Sequence, residues 1–279
     1  MMRTKPHISV IVAVYNHFEW LRLVLDALRR QTYFDFEVII ADDGSNQETV
    51  RSIREYQAAH PEFSLIHLRH ADEGWRKNIC LNNAVREARG DYLVFIDGDC
   101  IPHPRFLEDH FMMSKKGQAV SGRRVEMSKA VSDMVESWTT LPPDYFRKAR
   151  KEVVRNILRT PLTATLSQLS RFIHYPYFGP NTIGLRSGGM LGCNMGMFKS
   201  DLEKINGFDE RYLAPGVGED TDLELRLRNA GIKCVKSSRY ALMLHRCHPR
   251  LPMDSPDNRR LLEEAREKKT TWVARGLRR

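Results

Sequence analysis

The sequence predicts an α/β protein with a mostly parallel, Rossmann-like sheet flanked by helices, and two observations support this prediction. Short apolar runs rich in β-branched residues alternate with stretches of helical periodicity through the first 122 residues. The turns between them are short, and such alternation produces parallel strands joined by right-handed crossovers. A hydrophobic content of 42% and a charged content of 28% are typical of a soluble globular domain.

The first half of the chain supplies the predicted sheet. The predicted strands are residues 8–14, 37–41, 64–68, 92–96 and 119–122. The predicted helices are residues 18–30, 47–59, 75–89 and 104–114. In the first helix, apolar residues from Trp20 to Leu28 recur at the spacing of one helix face. Ligands of such sheets bind beyond the carboxyl ends of the strands, so we expect the functional residues there.

The second half of the chain departs from this alternation. Residues 123–187 are basic, and we interpret them as a largely helical insertion that shapes an acceptor pocket or contacts a membrane. Their helical patterns cover residues 132–138, 144–158 and 164–172, and an aromatic strip covers residues 172–178. A further helix is predicted at residues 219–230. Residues 249–279 are expected to form a basic C-terminal helix, with its helical pattern at 257–275.

Charge and cysteine usage narrow the class of protein. The net charge is +9, and the excess lies mostly in residues 123–186 and 246–279, which favours anionic partners. No helix-turn-helix, zinc pattern or aromatic–basic sheet motif accompanies it, so we expect no nucleic-acid partner. Five scattered cysteines favour a reducing compartment. Because no apolar run is long enough to span a bilayer and no signal-peptide pattern is present, we expect a cytoplasmic protein.

Two carboxylates, Asp97 and Asp99, follow the apolar run that ends at Ile96. At positions i and i+2 of an extended chain their side chains point the same way and repel each other. A hard divalent cation such as Mg²⁺ or Mn²⁺ would relieve the repulsion, and phosphate oxygens would complete its coordination shell. The alternative is a solvated turn whose carboxylates only cap a helix.

A second acidic pair, Asp42 and Asp43, follows the predicted strand at residues 37–41. A carboxylate at this position can accept a hydrogen bond from the ring N–H of uracil or from a ribose hydroxyl. Gly44 permits a tight turn, and Ser45 can cap the next helix. Turn chemistry alone is the alternative for this pair. Because both acidic pairs lie at the carboxyl ends of strands, we expect them to form one site.

Taken together, these motifs resemble the inverting family 2 glycosyltransferases, which have the GT-A fold. The resemblance covers residues 8–16, 42–45, 72–77, 81–84, 88–92, 97–99, 192–195, 206–210 and 218–227. Its later part also resembles the galactosyltransferase-like module of chondroitin-polymerase-type enzymes. The resemblance implies one GT-A domain over residues 1–248. Within it lie a nucleotide-binding half at 7–122, a variable acceptor region at 123–187 and a galactosyltransferase-like catalytic module at 188–248.

The resemblance also implies an activity. This is the metal-dependent, inverting transfer of one sugar from a UDP-type nucleotide-sugar donor to a hydroxyl of a glycan or lipid-linked acceptor, in bacterial surface polysaccharide synthesis. The implied cofactor is Mn²⁺ or Mg²⁺. The Gln-x-x-Arg-Trp signature of processive members is absent, which favours the addition of a single sugar. Peripheral contact with the anionic inner face of a membrane would bring the enzyme to a lipid-linked acceptor.

Residue roles follow from the resemblance. The implied metal ligands are Asp97, Asp99 and His245, with His248 as a less favoured ligand. The implied donor contacts are Asp42 or Asp43 at the nucleoside, together with Trp75, Lys77, Asn82, Asp97 and Asn194. The implied general base is Asp220, beside Glu219, with Glu219 or Asp222 as the next candidates. An inverting transfer needs one carboxylate on the face opposite the departing nucleotide.

Two other functional classes were compared with this one. A sugar nucleotidyltransferase also combines an α/β sheet with paired aspartates, but it would place a Gly-rich basic loop after the first strand. Residues 15–19 of this chain do not supply such a loop. A non-enzymatic nucleic-acid-binding module would account only for the positive charge. Release of UDP from a UDP-sugar with Mn²⁺ distinguishes glycosyl transfer from nucleotidyl transfer, which releases pyrophosphate.

Overall fold

The structure is a computed structural model that describes residues 7–157, 185–216, 218–237, 239–249 and 255–278. The predicted helix at 164–172 and the aromatic strip at 172–178 lie outside these residues. The strands are β1 (Ile8–Val14), β2 (Phe36–Asp42), β3 (Leu65–Arg69), β4 (Tyr92–Asp97), β5 (Cys100–Pro102), β6 (Gln118–Ser121), β7 (Arg123–Glu126), β8 (Arg186–Ser187), β9 (Asn194–Phe198), β10 (Lys233–Lys236) and β11 (Leu242–His245). The helices are α1 (Phe18–Leu28), α2 (Gln47–Ala59), α3 (Lys77–Glu87), α4 (Phe106–Met113), α5 (Lys129–Glu136), α6 (Tyr145–Ile157), α7 (Lys199–Glu203), α8 (Glu219–Asn229) and α9 (Pro256–Glu267).

The main sheet has the strand order β3-β2-β1-β4-β9-β6-β10-β8. Strands β1 to β4 pair in parallel, whereas β9 runs antiparallel to both of its neighbours. Every residue of β1 is buried, because helices cover both faces of the sheet. Trp20 and Leu21 of α1 are among the buried side chains on one face, and Leu81 of α3 lies on the other. The predicted mixed α/β fold, with a mostly parallel sheet flanked by helices, is confirmed.

A second, smaller sheet has the order β5-β11-β7. In its register His245 of β11 lies between Cys100 of β5 and Glu126 of β7. Neither β5 nor β7 was predicted, because one is three residues long and the other, with the sequence Arg-Arg-Val-Glu, has no apolar run. Residues 123–126, which the sequence analysis placed in the insertion, are therefore part of a sheet.

The C-terminal region differs from the prediction. Helix α9 ends at Glu267, and the predicted continuation to residue 275 is wrong. The chain beyond it is hydrogen-bonded to the turn at Asn206, whose Nδ2 donates to the Val273 carbonyl at 2.7 Å and whose carbonyl accepts from Leu277 N at 2.8 Å. These contacts replace helical hydrogen bonds and tie the tail to the domain.

Candidate active site

A cavity of about 210 Å³ lies beyond the carboxyl ends of β1, β2 and β4. This is the position expected for a ligand of an open α/β sheet. Its walls come from residues 13–17 at the end of β1, Asp43 after β2, Trp75 and Lys77 around the start of α3, residues 97–99 at the end of β4, and His245, Arg246 and His248 at the end of β11. The two acidic motifs of the sequence therefore share one cavity.

Asp42 and Asp43 have different surroundings. Asp42 is fully buried, accepts a hydrogen bond from Ser45 N at 2.7 Å and is paired with His67 Nε2 at 2.8 Å. Burial alone would raise the pKa of Asp42, but the hydrogen bonds from His67 and Ser45 outweigh it and lower the pKa. Asp42 holds the turn and does not line the cavity, so the predicted nucleoside contact is left to Asp43.

Asp43 lies at the cavity wall. Its Oδ2 accepts from Arg76 N at 3.0 Å, and its Oδ1 is paired with His70 Nε2 at 2.7 Å. Burial raises the pKa of Asp43 despite these contacts. The turn that follows Asp43 contains Gly44 at φ +95°, where a Cβ would come within 2.6 Å of Asp72 Cα. A side chain at residue 44 would therefore displace the wall that carries Asp43.

Lys77 is the positive charge on this side of the cavity. Its Nζ lies 3.0 Å from Asp97 Oδ1 and 3.5 Å from Glu219 Oε1. Burial alone would lower the pKa of Lys77, but the two carboxylates raise it well above its ordinary value, so the ammonium stays charged. The Lys77 ammonium therefore offsets part of the repulsion between the carboxylates of Asp97 and Asp99 without a metal ion.

Asp99, His245 and His248 form a cluster whose ligand atoms all lie within 4.8 Å of one another. His245 Nε2 is 3.9 Å from Asp99 Oδ1, and His248 Nε2 is 3.5 Å from Asp99 Oδ2. One carboxylate and two imidazoles are a donor set that fits a divalent transition metal. Asp97, predicted as a ligand, lies outside this cluster because it is paired with Lys77.

The structure places His248, the less favoured of the two predicted histidines, beside Asp99 together with His245, and it adds Glu126, which the sequence did not single out. His248 follows His245 by three residues, directly after a strand, and this spacing was the available signal. Glu126 Oε2 is 2.7 Å from His245 Nδ1, and Arg124 Nη2 is 2.6 Å from Glu126 Oε1. Because β7 was not predicted, no sequence signal placed Glu126 beside His245.

Glu219 and Asp220 begin α8, where the helix dipole favours negative charge. Gly218 precedes them at φ +126°, and a Cβ there would lie 2.4 Å from Tyr212 Cε1. Glu219 faces Lys77, and burial raises the pKa of its carboxyl. Asp220 is partly exposed and accepts from Gly192 N at 3.4 Å.

Asp222, the third acidic residue of this turn, has a structural role instead. Its Oδ2 accepts from Nε of the buried Arg226 at 2.7 Å. The same guanidinium donates through Nη1 to the Ile205 and Gly207 carbonyls at 3.0 and 2.8 Å. The buried ion pair fixes Asp222 inside the domain, which removes it as a candidate base.

Asn82 and Asn194, predicted to contact the donor, do not line the cavity. The Asn82 amide is fully buried and bridges the backbone of Phe208, donating to its carbonyl at 2.8 Å and accepting from its N–H at 3.0 Å. Asn194 is also buried and donates to the Ala241 carbonyl at 2.8 Å. Both amides hold loops, so the structure does not bring these two predicted donor contacts to the cavity, whereas the predicted Trp75 and Lys77 do line it.

Comparisons with known proteins agree with this fold. Residues 9–205 match the family model "Glycosyl transferase family 2", and residues 177–248 match "N-terminal domain of galactosyltransferase". The chain therefore belongs to glycosyltransferase family 2.

Two curated relatives and one solved structure illustrate the similarity. "Glycosyltransferase AglE" of Haloferax volcanii is 34% identical over 110 residues, which are 39% of this chain and 35% of that protein. "Chondroitin synthase" of Escherichia coli is 29% identical over 104 residues, covering 37% of this chain and 15% of the relative. The mannosyltransferase PcManGT from Pyrobaculum calidifontis, solved with GDP-Man and Mn²⁺, superposes with a TM-score of 0.58 at 18% identity, covering 89% of this chain and 59% of that one.

In all three comparisons the chain spans less than two thirds of the length of the protein it matches. At 18% identity, the mannosyltransferase shows a shared GT-A fold. Across the residues that the structure describes, none of the helices has the length and apolar character that crossing a bilayer requires.

Proposed function

We propose that this protein transfers one sugar from a nucleotide-sugar donor to an acceptor hydroxyl, with inversion at the sugar carbon and with a divalent metal. The observation that supports this most directly is the cavity, which joins a buried acidic turn, a lysine and a carboxylate–imidazole cluster at one edge of the sheet. A nucleoside diphosphate presents the matching groups, namely a base and ribose at one end and two anionic phosphates at the other.

The donor would lie across the cavity from Asp43 to Asp99. Asp43 would accept a hydrogen bond from the base or the ribose, and Trp75 would pack beside the nucleoside. We propose a UDP-sugar as donor, on the basis of the family resemblance and the position of Asp43. The relative PcManGT was solved with GDP-Man, so the GT-A fold accommodates more than one base.

Asp99, His245 and His248 would hold the metal, which when bound neutralises charge on the leaving diphosphate. Mg²⁺ is usually held by carboxylates and water, whereas imidazole ligands favour a transition metal. Of the two ions expected, we therefore propose Mn²⁺. Lys77, fixed by Asp97 and Glu219, would supply a second positive charge on the same side of the cavity.

Asp220 would remove the proton from the acceptor hydroxyl. Glu219 is held by Lys77 and Asp222 by Arg226, so Asp220 is the carboxylate of this turn whose side chain makes neither of these ion pairs. Glu219 would act through Lys77 and so position the charge on the donor side. The acceptor would be a glycan or a lipid-linked sugar, in surface polysaccharide synthesis.

The test is calorimetric titration of UDP in the presence of Mn²⁺, Mg²⁺ or EDTA, followed by a panel of nucleotide sugars. We expect UDP to bind more tightly with Mn²⁺ than with Mg²⁺ and most weakly in EDTA. Slow release of UDP from the preferred donor should require the metal. Equal UDP affinity under all three conditions would overturn the metal-dependent mechanism. Release of pyrophosphate from UTP and a sugar phosphate would establish nucleotidyl transfer instead.

We also propose that α6 gives the protein peripheral contact with an anionic membrane. Arg150 and Lys151 are exposed on this helix, and basic residues near an anionic surface contribute about 1 kcal/mol each. Vesicles with anionic lipid should therefore sediment more protein at low salt than neutral vesicles do. The double variant R150A/K151A should lose part of this binding, whereas R51A/R54A on α2 should not. Equal sedimentation with both vesicle types would contradict the proposal.

A further inference from the structure

The smaller sheet places an acidic side chain directly beside one proposed metal ligand. Glu126 and His245 occupy the same level of the parallel β7–β11 ladder, so their side chains project from the same face of the sheet. We propose that Glu126 is a positioning residue that fixes the tautomer and orientation of the His245 imidazole, so that Nε2 is the atom presented to the metal. This inference rests on the metal-dependent function proposed above.

The hydrogen bonds of the imidazole support this assignment. His245 Nδ1 lies 2.7 Å from Glu126 Oε2, and an ionised carboxylate can only accept a hydrogen bond. Nδ1 therefore carries a proton. In the neutral imidazole the lone pair is then on Nε2, which is the nitrogen that faces Asp99 at 3.9 Å. A metal binds the lone pair and not the N–H, so the Glu126 contact selects the tautomer that can ligate.

Glu126 is itself held in place. Arg124 Nη2 lies 2.6 Å from Glu126 Oε1, so each carboxylate oxygen has its own partner. The backbone is fixed as well, because Met127 N donates to the His245 carbonyl at 3.0 Å. Guanidinium, carboxylate and imidazole thus form a short chain that ends at the metal cluster.

His248 shows the same arrangement with a weaker partner. Its Nδ1 lies 2.8 Å from the Pro249 carbonyl, and its Nε2 lies 3.5 Å from Asp99 Oδ2. Both histidines therefore have an acceptor at Nδ1 and turn Nε2 toward the same carboxylate. Of the two histidines, only His245 has a charged acceptor on a strand. We therefore infer that His245 is held in place before the metal binds, and that His248, in the more exposed segment after β11, is oriented only when the metal binds.

The test compares E126A and E126Q with the wild type by titrating Mn²⁺ alone and following the electron paramagnetic resonance signal of the free ion. Loss of a partner of this kind typically weakens metal affinity about 10–100-fold. We expect E126A to show a loss in this range and E126Q a smaller one, because glutamine can still accept from Nδ1. E108Q is the matched control, since Glu108 is a similarly half-buried glutamate paired with Arg105 at 2.9 Å and should leave Mn²⁺ affinity unchanged.

A second measurement separates positioning from a purely electrostatic or structural effect. In the metal-free protein, the ¹⁵N shifts of His245 should show a proton on Nδ1 in the wild type and in E108Q. In E126A they should show a mixture of tautomers, while thermal unfolding stays cooperative.

The possible outcomes are distinct. Unchanged Mn²⁺ affinity and unchanged ¹⁵N shifts in E126A would overturn the inference. If H245A lost Mn²⁺ binding in the same experiment, the proposed metal site itself would still be supported. A loss of affinity without a change of tautomer would also overturn it, because the effect would then be one of charge alone. Failure of the wild type to bind Mn²⁺ would overturn both this inference and the metal-dependent function.

Discussion

The two sheets build their parts of the site in different ways. On the main sheet, Asp43 and Asp97 stand at the carboxyl ends of parallel strands that all come from the first 97 residues and that helices cover on both faces. On the smaller sheet, Asp99, Glu126 and His245 meet only because β5, β7 and β11 come together from separate parts of the chain. The proposed nucleoside contacts therefore depend on a regular parallel framework, whereas the proposed metal cluster depends on pairing between distant segments of the chain.

The largest effect should come from removing the carboxylate of the metal cluster. We expect D99N to lose metal-dependent UDP binding and to slow transfer about 10³–10⁴-fold, since a metal supplies several kcal/mol of charge stabilisation. D97N should cost less, because Asp97 acts through Lys77. Single-turnover transfer rates and UDP calorimetry measure both variants. A larger loss of rate and of UDP affinity in D97N than in D99N would indicate that the metal binds at Asp97, at the end of the main sheet, and not at the cluster on the smaller sheet.

The proposed base provides the next largest effect. D220N keeps the size of the side chain but removes the proton acceptor, and such a loss typically costs about 10²–10⁴-fold in rate. Affinity for UDP should stay unchanged, because Asp220 does not line the cavity proposed to hold the donor. E219Q is the neighbouring control and should weaken UDP binding through Lys77 while affecting the chemical step less. If D220N turned over at a near-normal rate and E219Q did not, the base would be Glu219.

Asp42 and Asp43, neighbours at the end of β2, should have separable roles in ligand binding and in stability. D43N should weaken UDP binding about 10-fold, because it changes a carboxylate at the cavity wall while leaving its size unchanged. D42N should leave UDP affinity nearly unchanged and lower the free energy of unfolding by about 1–3 kcal/mol, since Asp42 is buried between His67 and Ser45. Calorimetry and urea unfolding decide the matter, and the reverse pattern would exchange the two roles.

The smallest effect is a pH dependence confined to the main sheet. Glu37 is buried, which would raise its pKa, but hydrogen bonds from Ser9 and Arg89 outweigh burial and lower the pKa below its ordinary value of 4.5. A lowered pKa in the folded state stabilises the protein above about pH 4.5, and this stability is lost as the pH falls. In urea unfolding with EDTA, E37Q should therefore lose less stability than the wild type between pH 6 and pH 4. The control E48Q, at an exposed site, should follow the wild type; equal slopes in all three would contradict the prediction.

The sequence predicted the parallel part of the main sheet, strands β1 to β4, well because its signals are local. Apolar runs located β1 to β4 to within about two residues, and the acidic residues after them marked the edge that holds the cavity. Local signals could not separate Asp42 from Asp43, since neighbouring strand residues point to opposite sides and only the packing around them decides which side faces a ligand. The resemblance pointed to His245, but the sequence could not show how the imidazole is oriented.

The smaller sheet was harder to predict for a physical reason. A strand of three or four residues is too short to show a periodicity of its own, and β5 and β7 are both paired with β11. Glu126 was therefore missed. Asn82 and Asn194 illustrate a different difficulty: their amides are polar groups near the motifs, but both are buried, donate to backbone carbonyls and do not line the cavity. Sequence patterns do not distinguish an amide that binds a ligand from one that holds a loop.

The pairing of β11 with β7 also has a consequence for the order in which the protein folds. Glu126 and His245 are 119 residues apart along the chain, and closing so long a loop is slow and entropically costly. Strands β1 to β4 are joined by shorter crossovers, so they can pair before β11 has paired with β7. The proposed metal site can therefore form only after β11 has paired with β7. A partly folded molecule would have its nucleoside end in place while lacking the metal end, and bound Mn²⁺ would report that the last long-range contact has formed.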